Sequence, residues 1–125
     1  MAYPTRPWDC WAKAKEDRNK QWQDCMTAKE RGVPLFMGGT GNSTVLVGIG
    51  EFAYLPGEPY GAEVSRYPDL ARRVVEAVEQ RGFAGDLCGY LRHFWGSAFL
   101  RETPWGPFPI PDLVIQGHTC DCHGK

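Results

Sequence analysis

At 125 residues, with 42% hydrophobic and 23% charged content, the chain is long enough for one domain with a real core and too apolar for a disordered one. Its formal net charge of -1 gives no electrostatic reason to expect nucleic acid or an anionic membrane as partner. No apolar run approaches the roughly 20 residues of a membrane span, and the N-terminus runs into charged residues rather than a signal-peptide core, so the expected location is cytoplasmic.

Residues 8–31 read as an amphipathic helix. Trp8, Trp11, Trp22, Cys25 and Met26 form its apolar stripe, charged residues cover the rest, and Gly32 stops it. This N-terminal unit, 1–32, is followed by an α/β unit at 33–125. Residues 33–37 suit a buried strand ending in the glycine-rich turn Gly38-Gly39-Thr40-Gly41-Asn42-Ser43. That turn lacks the lysine and the order of a phosphate-binding loop, so it reads as a turn at a strand end.

Residues 51–55 suit a second strand. Pro56-Gly57-Glu58-Pro59-Tyr60-Gly61 reads as a constrained loop, with Glu58 and Tyr60 as candidate substrate contacts set against ordinary solvated residues. Helices are expected at 69–81 and at 86–100, the second capped by Asp86 with Cys88 in its first turn. Residues 103–111, rich in proline, form a connector to a strand at 112–116. Strands alternating with helices predict an α/β fold with a small, mostly parallel sheet flanked by helices. Ligands in such sheets bind beyond the C-terminal strand ends, where Cys120 falls.

Five cysteines, an odd number, do not suggest a disulfide framework in a reducing compartment. Cys88 at a helix start meets free N–H groups and the positive dipole end, which favour the metal-binding thiolate; a buried structural cysteine is the competing reading. The tail His118-Thr119-Cys120-Asp121-Cys122-His123 is dense in donors. Zinc held by Cys120, Cys122, His123 and His118 is one reading, but the usual zinc spacings are not met, and iron–sulfur chemistry is preferred. His93, inside a helix, is expected to pack or face solvent rather than ligate.

Taken in order, Trp11-Ala12-Lys13-Ala14-Lys15-Glu16, Gly57-Glu58-Pro59-Tyr60-Gly61-Ala62, Asp86-Leu87-Cys88-Gly89-Tyr90-Leu91-Arg92, Phe94-Trp95-Gly96-Ser97, Gly106-Pro107-Phe108-Pro109-Ile110-Pro111-Asp112 and His118-Thr119-Cys120 resemble the benzoyl-CoA reductase and 2-hydroxyacyl-CoA dehydratase family. The resemblance implies an N-terminal subdomain of a larger, multi-subdomain subunit, incomplete at its C-terminus and inactive alone. It implies a [4Fe-4S] cluster held by Cys88, Cys120 and a third cysteine outside this chain. Cys122 is then either a bystander or a substitute ligand, because the Cys-Asp of this chain departs from the reductase pattern and is shared with dehydratases.

The resemblance further implies a heterodimer with a homologous cluster-bearing subunit and an acyl-CoA substrate. Electrons would come from ferredoxin through a separate ATPase component, the only place where ATP acts. The implied reaction is reductive dearomatisation of benzoyl-CoA to a cyclic dienoyl-CoA in anaerobic aromatic degradation. The alternatives are a 2-hydroxyacyl-CoA dehydratase subunit and a small non-catalytic metal-binding domain. His118, two residues before Cys120, is the candidate proton-handling group; a strand-end histidine bonded to backbone is the competing reading.

Overall fold

The structure, a computed structural model, describes residues 6–124. The reading of residues 1–4 as free of a leader segment lies outside them. Helix α1 (Cys10–Thr27) is followed by strand β1 (Leu35–Gly38), a 3-10 turn (Asn42–Leu46), strand β2 (Ala53–Pro56) and helix α2 (Gly57–Val64). Helices α3 (Pro68–Glu79) and α4 (Gly89–Leu100) come next, then a short hairpin of β3 (Glu102–Thr103) and β4 (Gly106–Pro107), strand β5 (Leu113–Ile115) and a 3-10 turn (Asp121–Gly124). The sheet order is β2-β1-β5, and both pairings are parallel. The chain is therefore α/β with a small parallel sheet flanked by helices, as the alternation of elements predicts. Among the described residues no helix is long and apolar enough to cross a membrane.

β1 is central because it pairs with both β2 and β5, and β2 is buried along its whole length. Such two-sided burial accounts for the continuous apolar run in place of an alternating pattern. Asp112 fixes the register of the third strand. Its carboxylate accepts from the Leu35 N–H at 2.9 Å, and its own N–H donates to the Leu35 carbonyl at 2.8 Å.

Three expectations need correction. Helix α1 begins at Cys10, and its apolar stripe is real only in the second half, where Trp22 and Cys25 are buried; Trp8 and Trp11 are 76% and 52% exposed. The sheet and the crossing helices cover only the later turns, so periodicity in the earlier ones has nothing to pack against. Second, the segment read as a loop at Pro56–Gly61 is the start of α2. Pro59 lies in its first turn, where backbone N–H groups have no intrahelical partner, so the missing donor costs nothing. Gly61 is retained because the α4 backbone passes against it. Third, α4 starts at Gly89 rather than near Asp86, which leaves Cys88 at the cap position; the first helical bond is Arg92 N–H to the Cys88 carbonyl at 3.0 Å.

The core is aromatic. Tyr60, wholly buried, sits edge-on to Trp22, Phe94, Trp105 and Phe108, with ring centroids 6.3, 6.0, 6.2 and 5.8 Å away. Aromatic edges set against faces satisfy the ring quadrupoles, which explains the clustering of these residues around one tyrosine. Tyr60 is accordingly a core residue, and the reading of it as a polar loop contact is corrected: its ring is sealed inside. Burial pushes its phenol well above the ordinary range.

Candidate functional site at the sheet edge

Because β1, β2 and β5 run parallel, their carboxyl ends at Gly38, Pro56 and Ile115 share one edge. Four segments meet there: the turn after β1, the N-terminus of α2, the cap of α4 and the tail after β5. A Cβ on Gly38 would lie 1.7 Å from the Ile115 carbonyl oxygen, so only glycine fits where the strands part. Asn42 Nδ2 then donates to that same carbonyl at 2.8 Å, and the Tyr54 hydroxyl donates to the Gly39 carbonyl at 2.6 Å. The glycine-rich turn is thus tied to β5 and β2 through its own side chains and backbone.

Glu58 organises the next layer. One carboxylate oxygen accepts from the Thr40 N–H at 2.9 Å and from the Thr40 hydroxyl at 2.6 Å. The other lies 3.0 Å from His123 Nε2, an ion-pair distance without hydrogen-bond alignment. Burial by itself would raise the Glu58 carboxyl, but the bonds from Thr40 and its own backbone amide, with His123 alongside, outweigh it and hold the group below its ordinary range. On the far side of the His123 ring, Nδ1 is bonded to the Thr119 hydroxyl and lies 3.6 Å from Cys120 Sγ.

The cysteines divide unevenly. The Cys88 N–H donates to Cys122 Sγ at 3.4 Å, joining the cap of α4 to the tail. Cys120 is exposed, with the His123 ring beside its sulfur. The Cys88 amide thus meets Cys122, the cysteine read as a bystander or a substitute ligand. The ring of His118 lies over Gly124, and among the described residues it makes no hydrogen bond to a cysteine. Among those residues no three His, Cys, Asp or Glu side chains converge to hold a metal ion.

Sequence reasoning named Glu58 but not its partners Thr40 and His123, nor the tie from Asn42 to the Ile115 carbonyl. The signal lay in Asn42 within a glycine turn after a strand, and in the three-residue spacing that returns His123 to Cys120. His93, expected to pack or face solvent, packs: Nδ1 lies 2.8 Å from the Gly61 carbonyl. Cys25 is a core thiol. Its Sγ–H donates to the Tyr54 carbonyl at 3.3 Å, and burial, with Asp24 beside it, pushes the thiol up to about 12. Comparison with models of known families, with curated proteins and with solved structures gave no match to this chain.

Proposed function

We propose that this chain supplies thiolate ligands to a [4Fe-4S] cluster in a subunit of the benzoyl-CoA reductase type, acting in the ATP-driven reductive dearomatisation of benzoyl-CoA, with 2-hydroxyacyl-CoA dehydration as the alternative reaction. One observation carries the reading: a main-chain amide at the start of a helix donates to a cysteine sulfur from another segment, at the carboxyl edge of a parallel sheet. Amide hydrogen bonds to sulfur and a nearby helix dipole are what tune ligated sulfur in such clusters. The donor set fits as a partial one. Cys88 and Cys122 or Cys120 would be ligands, and a further thiolate would come from outside these residues.

When bound, the cluster would supply a low-potential electron to the acyl-CoA; the organic chemistry is the cofactor's. The chain's own residues shape the surroundings. Glu58 and Thr119 hold the His123 ring against Cys120, while Asn42 pins the glycine turn that closes the edge. His118 stands near the tail as the candidate proton-handling group. A homologous subunit, an ATPase electron donor and ferredoxin complete the proposed system, in the cytoplasm.

One observation favours a second reading. The 3.6 Å between Cys120 Sγ and His123 Nδ1 is close to the roughly 3.5 Å expected between sulfur and nitrogen donors on one tetrahedral zinc. Anaerobic reconstitution with iron and sulfide, metal analysis and low-temperature EPR of the reduced protein decide between the two. The cluster reading expects a cubane signal lost in Cys88→Ala and in one of Cys120→Ala or Cys122→Ala. Stoichiometric zinc lost in Cys120→Ala and His123→Ala, or a cluster indifferent to Cys88, would replace it with a zinc-binding module.

A further inference from the structure

A cleft of about 590 Å³ opens between α1, the end of α2 and the hairpin turn at Trp105. It shares no lining residue with the cysteine edge. Its size falls within the roughly 300–1,000 Å³ of small-molecule pockets. Glu63, nine-tenths buried, forms part of the wall, with Arg18 Nη1 and Arg66 Nη1 each 3.3 Å from its carboxylate. Two cations around one carboxylate leave the cleft a net positive charge, and each guanidinium keeps further N–H donors.

In the wall behind these groups, Arg18 Nε and the indole Nε1 of Trp22, a residue only 3% exposed, are buried and, among the described residues, have no hydrogen-bond partner. Such orphan donors are uncommon in folded proteins and leave this wall rich in positive N–H groups. Beside them Trp105 stacks on Trp22, with centroids 5.5 Å apart and planes at 27°, and leaves 39% of itself exposed at the rim. A half-exposed indole next to surplus guanidinium groups offers a flat apolar surface and an anion anchor together.

We infer that this cleft binds a small planar aromatic anion, its ring against Trp105 and its carboxylate or phosphate on Arg18 and Arg66. The inference is independent of the cluster reading, since none of the cysteines takes part. The whole chain would be titrated by calorimetry with 2-naphthoate and with adenosine monophosphate. Neutral counterparts (2-naphthamide, adenosine) and non-aromatic ones (cyclohexanecarboxylate, inorganic phosphate) would be run beside them.

Binding of at least one aromatic anion is expected, with its neutral and its non-aromatic counterparts at least about tenfold weaker. Which of the two binds identifies the carboxylate or the phosphate as the natural anchor. Arg66→Gln should weaken that binding by about ten- to a hundredfold. The Arg66 side chain is 59% exposed, so the fold should survive, and a thermal melt of the variant checks that it does. No binding of either anion, equal binding of the neutral counterparts, or affinity unchanged in both Arg18→Gln and Arg66→Gln would overturn the inference.

Discussion

Gly61 and the carbonyl of Tyr90 meet so closely that a Cβ on the glycine would lie 2.1 Å from the carbonyl oxygen. Helices α2 and α4 therefore cross backbone to backbone, and His93 seals the crossing through the Gly61 carbonyl. Gly96 does the same for α4 against α3, where a Cβ would meet the Val74 oxygen at 2.1 Å. Two glycines thus set the distance of α4 from both neighbours.

Gly61→Ala should accordingly cost about 3 kcal/mol, at the upper end of the usual overpacking range, because backbone cannot rotate out of the way as a side chain can. Gly41→Ala, with open space around its Cβ and an ordinary φ of -83°, should change stability by no more than about 0.5 kcal/mol. Urea unfolding of the two variants beside the parent chain makes the comparison. Equal midpoints for both would mean that the crossing is looser than described.

Tyr60 offers a second contrast. Its ring is packed on several sides, while its buried hydroxyl has the Ser97 hydroxyl beside it but, among the described residues, no well-aligned hydrogen-bond partner. Tyr60→Phe should be neutral or stabilising by up to about 1 kcal/mol, whereas Tyr60→Ala should cost about 3–5 kcal/mol. Thermal melts read both. A large loss in the phenylalanine variant would show that the hydroxyl does have a partner.

Glu58 should make stability depend on acid. Its folded carboxyl is held below the ordinary 4.5, so the unfolded state takes up its proton first as the pH drops. The stabilisation is present above the ordinary value and is lost as the pH falls through the lowered one. Glu58→Gln should cost about 1 kcal/mol at neutral pH, a modest figure for a partly exposed carboxylate, and should flatten the decline below pH 4.5. Urea midpoints from pH 7 to pH 3 test this; parallel curves for variant and parent would exclude a role for Glu58.

Cysteine labelling should follow burial. In the metal-free native chain, iodoacetamide at pH 8 should modify the exposed Cys10 and Cys120 and leave Cys25 untouched until denaturant is added. The same raised thiol destabilises the fold in alkali, since between pH 9.0 and about 12 the unfolded Cys25 ionises while the folded one stays protonated. Peptide mass mapping reads the labelling; native modification of Cys25 at the rate of Cys120 would contradict the buried geometry.

Much of the scaffold was legible because its signals are local. The apolar runs at β1 and β5, the stripe of Leu70, Val74 and Val78 on α3, and the glycine after it at Gly82 each announce an element within a dozen residues. The start of α2 was hidden because its glycines and prolines answer to another helix and to a first turn, neither visible in the segment itself. The site was half legible for the same reason. Cys88 declares itself at a helix start, but that its amide meets Cys122 rather than Cys120 depends on how the tail folds back. Glu58 could be singled out, whereas its ties to Thr40 and His123 belong to tertiary structure alone.

The clamp between Leu35 and Asp112 spans 77 positions, and the pairing of β1 with β5 rests on it. Closing so long a loop costs chain entropy before any strand contact is gained, and topologies of this kind fold slowly. During synthesis the central strand therefore waits with one neighbour until Asp112 has been made. The tail that carries Cys120, Cys122 and His123 lies beyond that point, so its chemistry is assembled only after this long-range step of folding.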